Sequence, residues 1–243
     1  MEIRKTRLGF LGLFVLFAVL GLDNSVASHS DENHEYLNKE IDAQWELLDA
    51  AGKPLFHKRI NKRLSIYEEI FKKASNDLNI QWTLLAAISY QESHWNPKAI
   101  SKTGVRGLMM LTQQTAKEMG VSIRTDPIQS IIGGSSYYQK IFNRLPDSIP
   151  SRDKVWMSLA AYNIGFGHLM DARALTKKQN RNVDNWEEVK KSLRLLTKKE
   201  YYKDTKFGYV KGGEAVQYAD KVSLYYRTLA LWEREKKFFP NDS

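Results

Sequence analysis

The sequence contains no cysteine. A disulfide framework is therefore excluded, and so is a thiol that could carry the lipid of a bacterial lipoprotein. The fold has to be stabilised by the packing of apolar side chains, which make up 42% of the 243 residues. A chain of this length and composition can bury one good-sized core, so we expect one main domain.

Metal-ligand spacings are lacking as well. The five histidines are scattered, and none stands with another His, Asp or Glu at the spacing of a metal site on one helix face. We therefore predict that the protein uses neither a metal nor another cofactor.

Alternating strand patterns of convincing length are also missing, whereas apolar residues recur at helical spacing. The pattern predicts an all-α domain over residues 61–236, followed by a short tail at 237–243. The long connection at 197–213 is of the kind that often lines a site. The predicted helices cover approximately residues 61–78, 81–94, 112–119, 130–144, 154–164, 186–195 and 215–236.

The N-terminal residues have the pattern of an export signal. Arg4, Lys5 and Arg7 precede an apolar run over residues 8–22, and small residues follow up to Ala27. We expect cleavage after Ala27; the alternative is an uncleaved anchor, for which the run is short of the roughly 20 residues of a spanning helix. Residues 28–60 are weakly periodic, which predicts a linker or a short helical segment.

The formal net charge is +9. A basic, exported protein suits an anionic cell wall or membrane surface. Nucleic acid is not expected as a partner, because the chain is exported and its Lys and Arg residues are spread along the sequence instead of forming one stripe.

Glu92 is the residue whose position demands an explanation. On a helix it shares the apolar face of Leu85 and Ile88, close to the end that Pro97 imposes. Burial and the negative end of the helix dipole would both raise its pKa, as a proton donor to a glycosidic bond requires. The alternative is a helix-end residue that is paired with Lys98 or Lys102.

Three ordered motifs decide between these interpretations. Gln-Glu-Ser-His-Trp-Asn-Pro at residues 91–97 and Gly-Val-Arg-Gly-Leu-Met-Met at 104–110 resemble the catalytic motif of soluble-type lytic transglycosylases. Ala-Tyr-Asn-Ile-Gly at 161–165 resembles their second signature. The likeness covers about residues 61–232 and is nearest to the membrane-bound type F branch of that family.

The resemblance implies a lysozyme-like fold of the goose-lysozyme and soluble-transglycosylase type. It also implies cleavage of the bond between N-acetylmuramic acid and N-acetylglucosamine in peptidoglycan, with Glu92 as general acid and then base and a 1,6-anhydromuramyl end as product. By the same resemblance, substrate-binding residues are expected at Ser101, Met109, Tyr162, Tyr209 and Glu214, and supporting residues at Ser93 and Asn163.

The sequence departs from the family pattern in two places. Met110 stands where many members have Gln, so that sugar contact is not expected here. Residues 28–60 are too few for the large solute-binding-like domain that type F members carry before the catalytic part. Among the tryptophans, only Trp95, next to the end of the catalytic helix, is a candidate platform for sugar stacking.

Two alternatives stay open at this point. A muramidase of the goose-lysozyme type shares the fold and a lone Glu but uses water as the nucleophile, and a non-catalytic protein would bind peptidoglycan without cleaving it. We expect a monomer in the periplasm of a Gram-negative bacterium, in contact with the glycan strands and associated in some settings with the outer membrane or a wall-spanning assembly.

Overall fold

The structure, a computed structural model, describes residues 30–238 and the side chains of residues 35–237. The predicted export signal lies outside the described residues, as does most of the predicted tail. The described part contains helices and isolated β-bridges but no strand, which confirms the all-α prediction. Its α-helices are α1 (Ser30–Asp49), α2 (Lys53–Arg59), α3 (Ser65–Leu78), α4 (Trp82–Ser93), α5 (Gln113–Glu118), α6 (Pro127–Arg144), α7 (Ser151–Ile164), α8 (Phe166–Lys178), α9 (Trp186–Leu195), α10 (Lys199–Tyr202) and α11 (Gly212–Phe238).

Helix α4 forms the centre of the molecule. Its sequence is rich in Leu, Ala and Ile, and every residue from Trp82 to Tyr90 is buried. A helix that is apolar all round belongs inside a core, and α4 packs against α3 on one side and the long α11 on another. The sequence predicted one buried side for this helix, whereas the structure buries it almost completely.

The remaining helices build layers around α4. Helix α11 also packs against α1, α7 and α9, while α6 packs against α3 and α7. Three predicted helices, α4, α5 and α9, agree with the structure to within one residue at each end. Helix α8 was not predicted, because Gly165 and Gly167 interrupt the sequence pattern at its start.

The interpretation of residues 28–60 as a linker with at most one short helix is wrong for the described part. Helix α1 is 20 residues long, and a 3-10 turn, α2 and a π-helical turn continue the chain into α3. Trp45 and Phe56 are 0% exposed within the main core. The segment therefore packs as part of the domain.

Candidate functional site

The C-terminal end of α4 positions Glu92. The helix ends because His94 and Trp95 adopt left-handed backbone conformations, with φ of 53° and 56°. The guanidinium of Arg63 donates a hydrogen bond of 3.0 Å to the carbonyl of His94, which would otherwise lack a helical partner. Glu92 thus lies in the last turn of a helix whose end is held from outside.

The carboxyl group of Glu92 lies deep among protein atoms, although its side chain is still partly exposed to solvent. Its Oε1 accepts a hydrogen bond of 2.7 Å from the hydroxyl of Tyr218. Burial raises the pKa of Glu92 from 4.5 to about 7, and the hydrogen bond from Tyr218 opposes that rise. Near neutral pH the group therefore occurs in both its acid and its carboxylate form.

Tyr162, near the C-terminal end of α7, lies beside Glu92. Burial, and then the charges of Glu92 and Tyr137, hold the pKa of Tyr162 well above 10. Its hydroxyl donates a hydrogen bond of 2.9 Å to the carbonyl of Met109, and its ring centroid is 5.4 Å from that of Tyr137. Tyr162 therefore stays protonated and connects α7 to the loop that follows α4.

Tyr218 is a site residue that the sequence analysis missed. It lies on α11, 126 residues from Glu92 along the chain. Burial, followed by the charge of Glu92, raises the pKa of Tyr218 well above 10, so it is a permanent donor. No local motif marks this tyrosine, because only the packing of α11 on α4 brings it to Glu92.

The loop at residues 94–112 is fixed against the site by polar side chains. The hydroxyls of Ser89 and Ser93 lie 3.0 Å and 2.9 Å from the carbonyl of Leu108. From the other side, the backbone N–H of Met109 donates to the hydroxyl of Ser130 at 3.2 Å. Arg124 donates to the carbonyls of Gly104 and Leu111, each at 3.0 Å. The loop backbone is thus held at both edges.

Among the predicted substrate-binding residues, Ser101 and Met109 are engaged within the protein. The Ser101 hydroxyl lies 2.9 Å from that of Thr103 and accepts hydrogen bonds from the N–H groups of Thr103 and Val105, each at 3.2 Å. The Met109 side chain is 0% exposed, so the expectation that it contacts substrate is corrected: its role in the structure is core packing and a backbone carbonyl for Tyr162.

Two more predicted residues lie on the segment that leads into α11. Tyr209 is 54% exposed, and its ring meets that of Tyr202 edge-on at 5.6 Å. Glu214 forms an exposed ion pair with Lys211 at 2.8 Å. Neither is brought into contact with Glu92; both lie near the start of the helix that carries Tyr218.

Asn163 is exposed at the end of α7. Trp95 is not the sugar platform that its position suggested, because it is 1% exposed and donates its indole N–H to the carbonyl of Ala86 at 2.9 Å. Its ring packs against those of Phe56 and Tyr90. A left-handed backbone at the helix end turns this side chain back into the core.

Charged neighbours do not determine the state of Glu92. Neither Lys98 nor Lys102 forms an ion pair with it among the described side chains, and the causes that shift its pKa are burial and Tyr218 alone. The described residues also hold no cluster of three or more His, Cys, Asp or Glu that is suited to a metal ion. The site is a solitary carboxyl group between two phenols.

Comparison with known proteins shows which family this chain resembles. Residues 69–185 match the sequence model described as the transglycosylase SLT domain. The "Membrane-bound lytic murein transglycosylase F" of Photobacterium profundum is 51% identical over 74% of this chain and 34% of its own length. That of Alcanivorax borkumensis is 49% identical over 75% of this chain and 39% of its own length.

Among solved structures, the fold is similar to that of the 70 kDa soluble lytic transglycosylase from Escherichia coli, with a TM-score of 0.51 and 23% identity. The match covers 80% of this chain and 30% of that protein, and it confirms the lysozyme-like helical fold class. The chain spans only 34% and 39% of the length of the two relatives above. Within that span, the domain match and the close relatives agree, and residues 69–185 belong to the transglycosylase SLT domain family.

Proposed function

We propose that this protein is a lytic transglycosylase that cleaves the glycan strands of peptidoglycan, with Glu92 as its single catalytic acid and base. The observation that carries the proposal is the state of Glu92, whose pKa is raised by burial to about 7. A carboxylic acid that keeps its proton near neutral pH is what a glycosidic leaving group needs.

The first step breaks the bond between the anomeric carbon of N-acetylmuramic acid and the oxygen of N-acetylglucosamine. Protonated Glu92 gives its proton to that oxygen as the bond breaks, and the bonding electrons leave with it. The cationic muramyl centre is stabilised by the substrate's own N-acetyl group, as the family resemblance implies. Glu92 is left as a carboxylate, which the hydroxyl of Tyr218 stabilises through its 2.7 Å hydrogen bond.

In the second step the same carboxylate acts as a base. It removes the proton of the muramyl C6 hydroxyl while that oxygen attacks the anomeric carbon, which closes the 1,6-anhydro ring and returns Glu92 to its acid form. No water is consumed. One carboxyl group therefore serves both steps, in agreement with a pKa that allows both of its forms.

The lack of a neighbouring acid supports this mechanism over that of a two-carboxylate glycosidase. Such enzymes hold their carboxyl groups roughly 5 to 9.5 Å apart, and a second carboxylate at that distance would raise the pKa of a buried Glu through its charge. Among the described residues, no other carboxylate contributes to the pKa of Glu92. The same observation fits a goose-type muramidase, which the product end group distinguishes.

The names of the close relatives support peptidoglycan as the substrate, since both are described as murein transglycosylases. We propose export to the periplasm by residues 1–27 and a catalytic unit over residues 61–236 to which α1 and α2 are joined. The described residues include no helix that is both long and apolar enough to span a membrane. Action as a monomer, and association with the outer membrane or a wall-spanning assembly, belong to the same proposal.

The direct test is release of soluble muropeptides from purified sacculi by the purified protein and by its Glu92→Gln variant. The amide is nearly isosteric but gives up no proton, so we expect release to fall by a factor of at least about 100. Circular dichroism of the variant checks that it is folded. Release at the wild-type level by Glu92→Gln would overturn the assignment, and no release by either would favour the non-catalytic binding protein.

A further inference from the structure

The segment at residues 203–211, which we call the 203–211 loop, presents two aromatic rings to solvent. Phe207 is 51% exposed and Tyr209 is 54% exposed. Single exposed apolar side chains are common and need no partner, whereas two aromatic rings on one short loop offer a ligand a concentrated apolar surface. Lysines accompany the rings: Lys203, Lys206 and Lys211 are exposed, and the ammonium of Lys206 lies 5.7 Å from the centroid of the Phe207 ring.

A buried carboxylate holds the crest of this loop. Asp171 on α8 is 5% exposed, and its two oxygens accept hydrogen bonds from the backbone N–H groups of Lys206 at 3.1 Å and Phe207 at 2.7 Å. A buried charge is costly unless it is satisfied in this way. The N–H of Gly208, whose φ is 78°, donates to the Thr205 hydroxyl. The exposed rings therefore stand on a rigid support.

The ring of Phe207 also requires a glycine beneath it. A Cβ at Gly167 would lie 2.6 Å from the Phe207 ring, so only a residue without a side chain lets the ring rest there. One face of the ring is thus covered by backbone while half of the side chain stays open. The arrangement holds the ring flat against the protein, as a stacking platform requires.

The 203–211 loop leads from α10 into α11 and rests on α8. Gly167 belongs to α8, which begins directly after the helix that carries Tyr162. At its other end the loop leads into α11, whose second turn carries Tyr218. The loop is therefore linked along the chain to both helices whose tyrosines lie near Glu92.

We propose that the 203–211 loop binds a peptide-bearing muramyl unit of the same glycan strand, outside the cleavage site, with Phe207 under the sugar and Lys206 at a carboxylate of its stem peptide. This inference rests on the proposed function. The exposed ring of Phe207 and the ammonium of Lys206 lie side by side. They suit a ligand that carries both an apolar sugar face and an anionic substituent. A glycan without stem peptides offers only the first of these features.

The test uses soluble glycan strands in two forms, with stem peptides and after their removal by an amidase. The variants are Phe207→Ala and Lys206→Gln, with Ile128→Ala and Lys62→Gln as controls of matched type on exposed positions; Ile128 is 53% exposed. We expect Phe207→Ala to lower kcat/KM roughly 3- to 10-fold on both substrates, the usual range for one aromatic contact. Lys206→Gln should lower it only on the peptide-bearing strands.

Asp171→Asn provides a variant that keeps both rings and the lysine but weakens their support. We expect it to raise KM and to leave kcat within about twofold, because the reacting groups are untouched. If the wild-type protein cleaves strands while Phe207→Ala behaves like Ile128→Ala, Phe207 does not bind the sugar, and the proposed function stands. Equal losses for Lys206→Gln on both substrates would overturn the stem-peptide assignment, and an inactive wild type would contradict the proposed function itself.

Discussion

At the scale of single residues, the proposed chemistry depends on a carboxyl group that folding makes harder to ionise. Glu92 has a pKa of 4.5 in an ordinary environment and about 7 in the folded protein. The folded state therefore binds more protons than the unfolded state between these values, so the free energy of unfolding decreases as pH rises through that window. Above about pH 7 the full cost of burying the charge is present.

Replacing Glu92 with Gln should remove this cost. We expect the variant to be more stable than wild type by roughly 1–3 kcal/mol at pH 8, and the difference to shrink towards zero near pH 4.5. Urea unfolding of both proteins at the two pH values measures it. The same stability difference at both pH values would show that Glu92 does not titrate as its burial requires.

The hydrogen bond from Tyr218 has the opposite effect on Glu92, because it stabilises the carboxylate and lowers its pKa. In Tyr218→Phe we therefore expect the alkaline limb of the kcat/KM profile, where the acid loses its proton, to move to higher pH. The rate at the optimum should also fall, since the carboxyl group loses its support. Tyr226→Phe, on a buried tyrosine of the same helix, is the control; a limb that stays in place in Tyr218→Phe would contradict this role.

The sequence predicted the site residues that lie in local motifs, but it missed those that only packing brings to the site. Glu92 and Tyr162 stand in recognisable motifs, and they meet in the structure. Tyr218 and Ser130 have no such signal, because their partners are distant in the sequence. Trp95 and Met109 were expected to face substrate, yet both side chains are buried in the core.

At the scale of elements, the loop at residues 94–112 depends on one close backbone approach. Gly107 has a φ of 87°, and a Cβ there would lie 1.8 Å from the carbonyl oxygen of Arg124. Gly120 has a similar φ of 71° but open space around it. Substituting each glycine in turn therefore separates two free-energy costs. One is the cost of a left-handed backbone conformation, and the other is the cost of the collision between a Cβ and the carbonyl oxygen of Arg124.

We expect Gly107→Ala to lower the free energy of unfolding by at least about 3 kcal/mol and Gly120→Ala by about 1 kcal/mol, which is the conformational cost alone. Thermal or urea unfolding of the two variants gives the comparison. Gly107→Ala protein that still folds should also lose activity, because the hydrogen bonds of Arg124 and Ser130 to this loop would shift. Equal destabilisation in both variants would mean that the close approach is not a constraint.

Helix prediction succeeded where one periodic pattern had clear end signals, as in α4 and α9. It failed for α8, whose first turn contains glycine and which the sequence therefore left as a loop. The missing helix matters, because Gly167 and Asp171 on it support the 203–211 loop. Glycine here permits a contact with Phe207 and does not break the helix.

At the scale of the whole molecule, the N-terminal segment is part of the core against which α4 packs. The indole of Trp45 donates to the hydroxyl of Thr228 at 3.1 Å and packs against Phe56 and Tyr225. Arg227 and Glu40 add an ion pair between α11 and α1. Weak periodicity in residues 28–60 concealed this packing, because much of α1 is polar and only a narrow stripe of the helix is buried.

Trp45→Ala should therefore destabilise the protein by about 3–5 kcal/mol, the usual cost of removing a large buried aromatic side chain. Leu47→Ala on the same helix is the matched control: Leu47 is 82% exposed, and its loss should cost less than about 0.5 kcal/mol. Urea unfolding measures both. A small effect of Trp45→Ala would mean that α1 is attached only loosely to the domain.

The end group of the product distinguishes a transglycosylase from a muramidase. The decisive measurement is mass spectrometry of the muropeptides that the purified protein releases from sacculi, with Glu92→Gln run beside it to exclude contaminating enzymes. We expect 1,6-anhydromuramyl ends that depend on Glu92, since no water enters the proposed reaction. Reducing ends, which are heavier by one water, would contradict it and identify a muramidase instead.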